Sequence, residues 1–225
     1  ATATPRTFDI AAIRHEVAAE HALLASSSPS SLRAAPSDAC AVTGYADPNA
    51  QWNWLDRELS SNMAGETGAV CIYHGAATAL RMRTTDPTTL QFVEEHRAAE
   101  QSHLELFNEL LPSHKHTRML PIWRAAGFML GFAPALLSDR ALYRTVEAVE
   151  TFVEIHYQEQ IGPLREHGRC PSLVALLEHC CADEVHHKED AASRAGPDGP
   201  TRLESAWMAV VQTGSAVAAE VARRI

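Results

Sequence analysis

The chain has 225 residues, of which 46% are hydrophobic; that is enough for one sizeable domain with a full core and too many for a disordered chain. It carries 19 basic and 28 acidic side chains, a formal net charge of −9, which argues against a nucleic-acid partner because such proteins present a basic face. Its five cysteines lack C-x-x-C spacing, which excludes a cysteine-cage zinc site and favours a reducing compartment over a disulfide framework.

The N-terminal region differs in pattern from the rest. Residues 8–25 predict a short helix, and the Ser/Pro/Ala-rich stretch at residues 27–38 predicts a linker. We therefore interpret residues 1–50 as an N-terminal arm and residues 51–225 as the domain. The aromatic stretch at 51–55 is a candidate anchor where the two meet.

Five helical segments follow the arm. They are predicted at residues 54–81, 86–111, 138–161, 172–194 and 202–223. The second begins at Asp86-Pro87, where Asp can cap the free amides and Pro suits the first helical position. The third is expected to stop before Gly162-Pro163. Gly65, Gly68 and Gly75 weaken the first segment as a helix but let a neighbouring helix come close.

The connection lengths indicate the topology. About six residues join the first two long helices and about ten join the third and fourth, whereas about 26 residues, 112–137, separate the second from the third. Two hairpins joined by one long crossover is the connectivity of ferritin-like bundles. Because no segment alternates with period two, the sequence predicts an all-α fold, a ferritin-like four-helix bundle with an apolar crossover helix and a C-terminal helix.

Each of the first four of these helices, which form the predicted bundle, places an acidic residue on its apolar stripe. Two of the four add a histidine three positions later. The residues are Glu66 on the first helix, Glu100 and His103 on the second, Glu150 on the third, and Glu184 and His187 on the fourth. Either Glu-x-x-His pair alone could be a solvated helical turn. The order of single Glu, pair, single Glu, pair is instead the ligand scheme of di-iron carboxylate proteins.

The chemistry of this set favours metal. A carboxylate inside a bundle costs several kcal/mol unless it is paired or metal-bound, and two divalent cations would offset that cost. Carboxylate and imidazole ligands without a thiolate suit iron or manganese. We therefore expect these six residues to be metal ligands.

Six longer stretches carry a family pattern. They are AGETGAVCIYHGA at 64–76, EQSHLELFNEL at 100–110, LPIWRAAGFMLGFAPALLS at 120–138, AVETFVEIHYQEQI at 148–161, DEVHH at 183–187 and AWMAVVQTGSAVAAEVARRI at 206–225. Through them the chain resembles the demethoxyubiquinone hydroxylase family, in register over about residues 55–225.

The resemblance implies a function and a location. Members of the family are ferritin-like di-iron monooxygenases that hydroxylate the ring of a demethoxy-quinol precursor in ubiquinone biosynthesis. For this chain the resemblance implies two iron ions held by the six residues above, a quinone or quinol with an isoprenoid tail as substrate, and NADH as a candidate electron donor. It also implies a peripheral position on the matrix face of the mitochondrial inner membrane.

Two further residues match the family, and two depart from it. His156 and Tyr157 match a His-Tyr pair and are candidate relay residues; Tyr157 follows Glu150 by seven positions, so it lies either beside the metals or in the core. His156 lies on a different face of the helix. It is expected either to contact a residue that holds the metals or to be solvated. Met63 replaces a usual histidine and could alter a hydrogen bond. Glu154 is either an extra acid near the site or a solvated charge.

The crossover contains 13 consecutive uncharged residues, Ala125–Leu137. They form either a buried core helix or an interfacial segment that lies in one membrane leaflet with Arg124 at the headgroup level. The resemblance favours the interfacial alternative, because an enzyme acting on a long-tailed quinone needs an apolar entrance.

Three functions remain in competition. The leading hypothesis is a dioxygen-dependent quinol-ring hydroxylase. The first rival is a ferritin-like accessory subunit of a mitochondrial respiratory or biosynthetic assembly, docked to protein partners through the arm and the Trp52 and Trp54 side chains; retention of all six ligands argues against it. The second is an iron-oxidising ferritin-like protein, against which the apolar crossover argues. Cys180 and Cys181 are expected to pack beside the core without a chemical role.

Overall fold

A computed structural model describes residues 7–26, 54–83 and 85–224, and within these ranges it contains helices and no strand. The helices are α1 (Ile10–Ser26), α2 (Trp54–Arg81), α3 (Pro87–Leu110), α4 (Leu120–Leu137), α5 (Asp139–Glu166), α6 (Pro171–Arg194) and α7 (Arg202–Ala222). One 3₁₀ turn, Ser113–Lys115, precedes α4. The predicted all-α class is confirmed.

The bundle consists of α2, α3, α5 and α6. The hairpins α2–α3 and α5–α6 pack together, α4 crosses between them along α2, and α7 lies on α5 and α2. This is the predicted ferritin-like connectivity, with the apolar crossover folded as α4. The arrangement places the inner faces of α2, α3, α5 and α6 around one central axis.

The helix ends follow the capping signals with two exceptions, the start of α6 and the end of α5. The predicted start of α6 at Ser172 is wrong, because the helix begins at Pro171 with Cys170 as its N-cap and without a side-chain cap. Asp86 accepts a hydrogen bond from the Thr88 amide at 2.9 Å at the start of α3, and Ser138 caps α5 in the same way. The predicted stop at Ile161 is wrong, because α5 continues through Pro163 to Glu166. Leu164 in this extra turn is fully buried, and burying it offsets the cost of about 3 kcal/mol of a proline inside a helix.

The N-terminal helix packs on the bundle. Ile10, Ile13 and Val17 of α1 are buried in the same core cluster as residues of α2, α3 and α6. Glu16 of α1 accepts a hydrogen bond from the Ser172 amide at 2.9 Å, at the start of α6. The predicted linker at 27–38, the Trp52 anchor and the domain boundary near residue 50 lie outside the described residues, so the division into arm and domain stays a prediction.

Glycines bring α4 very close to α2. A Cβ atom added at Gly75 would lie 2.9 Å from the carbonyl carbon of Phe128, and one at Gly131 would lie 2.6 Å from that of Ile72. The expectation that Gly75 admits a neighbouring helix is therefore confirmed, whereas a Cβ at Gly65 would meet nothing within 4 Å. This contact fixes α4 as a wall over the middle of α2.

Candidate metal centre and adjoining cavity

The six predicted ligand side chains meet at the centre of the bundle, each no more than 3% exposed. Their ligand atoms form two groups whose members lie within 4.8 Å of one another. One group is Glu66, Glu100, His103 and Glu184, and the other is Glu100, Glu150, Glu184 and His187. The two groups therefore share the carboxylates of Glu100 and Glu184, and each adds one further glutamate and one histidine.

Both imidazoles point the same ring nitrogen into the cluster. His187 Nδ1 lies 3.0 Å from Glu100 Oε1 and 3.1 Å from Glu184 Oε2. His103 Nδ1 lies 3.1 Å from Glu184 Oε1 and 3.8 Å from Glu66 Oε2. The i, i+3 spacing of each Glu-x-x-His pair puts its carboxylate and imidazole on one helical face.

Burial and mutual repulsion perturb the pKa values of these groups. Burial, together with the charges of neighbouring glutamates, raises the pKa of Glu66 and Glu150 well above the usual value and also raises that of Glu100. Burial acts in the same direction on Glu184, but its close contacts with His103 and His187 outweigh burial and lower the Glu184 pKa to about 2. The pKa of His187 is lowered by burial but raised overall to about 11 by Glu100 and Glu184.

The donor set fits divalent metal ions. Glu66 Oε2, Glu100 Oε1, His103 Nδ1 and Glu184 Oε1 are buried and make no hydrogen bond with acceptable geometry among the described residues. Buried polar atoms are normally satisfied, so four unsatisfied ones aimed at a common point indicate a ligand there. Two divalent cations would also balance the charge of four carboxylates.

Two tyrosines hold the outer oxygens of the terminal carboxylates. The Tyr157 hydroxyl donates to Glu66 Oε1 at 2.5 Å, and the Tyr73 hydroxyl donates to Glu150 Oε1 at 3.2 Å. Both side chains are 1% exposed. Of the two positions expected for Tyr157, beside the metals or in the core, the structure places it beside the cluster. Its hydrogen bond to Glu66 Oε1 leaves Glu66 Oε2 directed inward.

Sequence reasoning missed the partners of the two histidines. Asp183 Oδ2 lies 3.1 Å from His103 Nε2, and His96 stacks on His187 with ring centroids 4.2 Å apart. A carboxylate such as Asp183 fixes the orientation and tautomer of a metal-binding histidine, whereas the stacked His96 ring restricts only the orientation of His187. The sequence did contain indications of both partners, because Asp183 directly precedes Glu184 and His96 lies one turn before Glu100 on the same apolar stripe.

The remaining singled-out residues lie outside the cluster. Glu154 forms an ion pair with Lys188 and is about one-third exposed, so the solvated-charge alternative holds. Met63 is buried in the core, with Thr67 Oγ1 3.6 Å from its sulfur. Of the two alternatives for His156, the solvated one is wrong: His156 is 6% exposed, and Arg223 Nη2 at the end of α7 lies 3.1 Å from its Nδ1.

A cavity of about 420 Å³ adjoins the cluster. Carboxylates of the cluster and Tyr157 form its inner end, while α2, α4, α5 and α7 form its walls. The walls are mainly apolar and include the rings of Trp123 and Trp207, and Ser61, Asn62 and His156 contribute polar groups at one side. The bundle therefore joins a candidate metal centre to a space large enough for an organic ring.

The outer faces of α4 and α7 are apolar and exposed. Within the described residues, Leu120–Leu137 is the one helix long and apolar enough to cross a membrane, with a mean hydropathy of 1.4, and only 22% of it is buried. Met129 of α4 is 54% exposed and Val210 of α7 is 62% exposed. The alternative that residues 125–137 form a buried core helix is therefore wrong.

Comparison with known proteins adds a family. The profile of the family described as Ubiquinone biosynthesis protein COQ7 matches residues 53–222. The 3-demethoxyubiquinol 3-hydroxylase of Rhodospirillum rubrum is 30% identical over 148 residues, covering 65% of this chain and 68% of the relative.

Two eukaryotic relatives are similar to the same extent. The mitochondrial NADPH-dependent 3-demethoxyubiquinone 3-hydroxylase of Homo sapiens is 29% identical over 178 residues, covering 76% of this chain and 78% of the relative. The mitochondrial 5-demethoxyubiquinone hydroxylase of Saccharomyces cerevisiae is 29% identical over 161 residues, covering 64% and 67%.

Proposed function

The chain belongs to the COQ7 family of ubiquinone biosynthesis proteins, and from that membership we propose that it hydroxylates the ring of a demethoxy-quinol with dioxygen. One structural observation carries the proposal: six buried side chains, four of them with an unsatisfied ligand atom, converge at the inner end of an apolar cavity. The relatives named above are hydroxylases of such rings, and a ring reaching the end of this cavity would lie against the carboxylates.

We propose that the cofactor is a pair of iron ions. Glu66, Glu100, His103 and Glu184 would hold one ion, and Glu100, Glu150, Glu184 and His187 would hold the other, so Glu100 and Glu184 belong to both ligand groups. When bound, the iron pair supplies the reductive activation of dioxygen. Manganese satisfies the same donor types; we propose iron because the order of these ligands along the chain is that of ferritin-like di-iron carboxylate proteins.

The protein's own part is to orient the ligands and the ring. Hydrogen bonds from Tyr157 and Tyr73 hold the outer oxygens of Glu66 and Glu150, so these carboxylates need no rearrangement on metal binding. The apolar walls exclude water from the ring and hold it close to the cluster. The isoprenoid tail would leave the cavity between α4 and α7, whose outer faces are apolar.

The reductant is proposed to be a nicotinamide dinucleotide. The human relative is named NADPH-dependent, whereas the family resemblance suggested NADH. The sequence contains no Gly-x-Gly-x-x-Gly fingerprint, so the nucleotide would dock in an unconventional way or on a partner protein of a quinone-biosynthesis assembly. His156 and Tyr157 remain candidate relay residues between that donor and the metals.

We further propose a peripheral membrane position. The exposed apolar faces of α4 and α7 would lie in one leaflet, with Arg124 of α4 at the headgroups, where a long-tailed quinol could enter directly. The eukaryotic relatives are named mitochondrial, which supports the mitochondrion as the compartment. The matrix face of the inner membrane is the surface that we propose.

Turnover under labelled dioxygen tests the proposal. Iron-loaded, reduced protein is incubated with a short-tailed demethoxy-quinol under ¹⁸O₂, and the product is analysed by mass spectrometry. One labelled oxygen on the ring is expected, with Glu184→Ala protein as the inactive control. Oxidation to the quinone without ring label would refute the hydroxylase and leave the structural-subunit alternative in its place.

A further inference from the structure

The cavity has a second polar region, away from the carboxylates. Ser61 of α2 and His156 of α5 line it and are 3% and 6% exposed. Arg223, which follows the last residue of α7, reaches His156 from outside the cavity. None of the six candidate metal ligands belongs to this group, so it needs its own explanation.

The hydrogen-bond directions in this group follow from chemistry. Arg223 Nη2 lies 3.1 Å from His156 Nδ1, and because a guanidinium only donates, Nδ1 must accept. The hydrogen of the neutral imidazole is therefore on Nε2, which lies 3.2 Å from Ser61 Oγ. Ser61 Oγ accepts this bond, and its own hydrogen is left to be donated.

Among the residues that the structure describes, that hydrogen has only a weak partner. The carbonyl oxygen of Ala219 lies 3.5 Å from Ser61 Oγ, at the outer limit of a hydrogen bond. An acceptor in the cavity at an ordinary distance would be preferred. The neighbouring polar group is not free in this way, since the Asn62 and Gln160 amides bond each other reciprocally at 2.8 Å.

We propose that Ser61 donates a hydrogen bond to a ring oxygen of the quinone substrate, and that His156 and Arg223 are positioning residues that orient its hydroxyl. The proposal deepens the proposed function, on which it rests for the identity of the ligand. A carbonyl oxygen of the quinone form is the strongest acceptor on such a ring. A donor on one side of the cavity would set the orientation of the ring relative to the carboxylates.

The surroundings keep the three residues in this arrangement. Glu58 is buried and lies 3.0 Å from Arg223 Nη2 and 2.9 Å from its Nε, so it fixes the guanidinium plane. Burial and the charge of Arg223 lower the pKa of His156 to about 3, so the ring stays neutral. Because Arg223 always carries its protons, the ring also stays in one tautomer.

Ligand binding can be measured without turnover. Trp123 and Trp207 line the cavity, so a bound quinone quenches their fluorescence. Titration of the full chain with a short-tailed demethoxy-quinone should give a dissociation constant that rises about tenfold in Ser61→Ala, the effect of losing one hydrogen bond in a dry site. Ser60→Ala, a buried serine on the same helix outside the cavity wall, is the matched control and should bind like the unmodified protein.

Separate measurements test whether Arg223 and His156 position the Ser61 hydroxyl. Arg223→Met should weaken binding about as much as Ser61→Ala, and the double variant should be no weaker than either single one, because Arg223 acts through Ser61. Arg224→Met, a neighbouring arginine whose side chain is 71% exposed, should have no effect. The ¹⁵N resonances of His156 should report the Nε2–H tautomer in the unmodified protein and a tautomer mixture in Arg223→Met.

The outcomes separate the two proposals. If the unmodified protein binds the quinone and Ser61→Ala binds it equally well, the Ser61 subsite is refuted while the proposed function stands. If the unmodified protein binds neither the demethoxy-quinone nor, under reducing conditions, the demethoxy-quinol, the proposed function is refuted. If the losses of the two single variants add up in the double variant, Arg223 does not act through Ser61. If Arg223→Met fails to fold, the affinity of Ser61→Ala protein with unchanged iron content still tests whether Ser61 binds the quinone.

Discussion

Adding one methyl group between α2 and α4 should destabilise the protein measurably. In Gly131→Ala, the new Cβ would lie 2.6 Å from the carbonyl carbon of Ile72, whereas ordinary contacts are 3.4 Å or longer. The neighbour is backbone, so it cannot rotate away, and α4 must move by roughly 1 Å. The movement would shift Leu130 and Gly127, which line the cavity.

The magnitude follows from two opposing effects. Overpacking of this kind costs about 1–3 kcal/mol, while replacing a mid-helix glycine by alanine returns up to about 1 kcal/mol. Because the overlap at Gly131 is with backbone, the upper part of the overpacking range, about 2–3 kcal/mol, applies. The net loss of about 1–2 kcal/mol corresponds to a fall of roughly 2–8 °C in the melting temperature for a domain of this size.

Thermal unfolding of metal-free protein, followed by circular dichroism, measures the change. Gly214→Ala is the matched control, because a Cβ at that position of α7 would meet nothing within 4 Å. The control should be as stable as the unmodified protein or slightly more stable. If Gly131→Ala also raised the melting temperature, the close packing of α4 on α2 would be refuted.

Four further predictions concern the metal cluster and the apolar face. Glu184→Ala should lose bound iron and turnover while its helical circular dichroism is unchanged; full activity would exclude Glu184 as a ligand. Met129→Asp should release the protein from liposomes in a flotation assay without a change in melting temperature. The control Ser102→Asp, on the exposed side of α3, should remain bound. If both variants bind liposomes equally well, α4 has no membrane role. The raised pKa of His187 gives metal-free protein stability that is complete below about pH 6.5 and is lost as pH rises towards about 11, so its melting temperature should fall across that window. Iron loading in weak buffer should release protons, because the ligands must deprotonate; no acidification would contradict the raised pKa values of His187 and Glu66.

Local periodicity predicted most of the fold. The apolar stripes of α3 and α6 place Glu100 and Glu184 on buried faces, and both are 1% exposed. The lengths of the connections indicated two hairpins and a crossover, since short loops leave consecutive helices little choice but to pack as antiparallel neighbours. These features depend on residues near one another in the chain, and so a single sequence reveals them.

Features that depend on distant partners were not predicted. The burial of His156 depends on Arg223, which is 67 residues later, and the extension of α5 past Pro163 depends on the core that receives Leu164. Asp183 was visible in the sequence, but its role as partner of His103 becomes evident only once α3 and α6 are packed together. Helical spacing indicates which face a residue occupies and does not identify the residue opposite.

Whether the six clustered side chains hold two iron ions is tested most directly by anomalous X-ray diffraction from iron-loaded crystals at the iron absorption edge. Two peaks about 3.5–4 Å apart are expected, the spacing typical of two-metal sites. Both should contact Glu100 and Glu184, one together with Glu66 and His103 and the other with Glu150 and His187. A single peak, or none, in a crystal whose bundle is intact would contradict the two-iron centre.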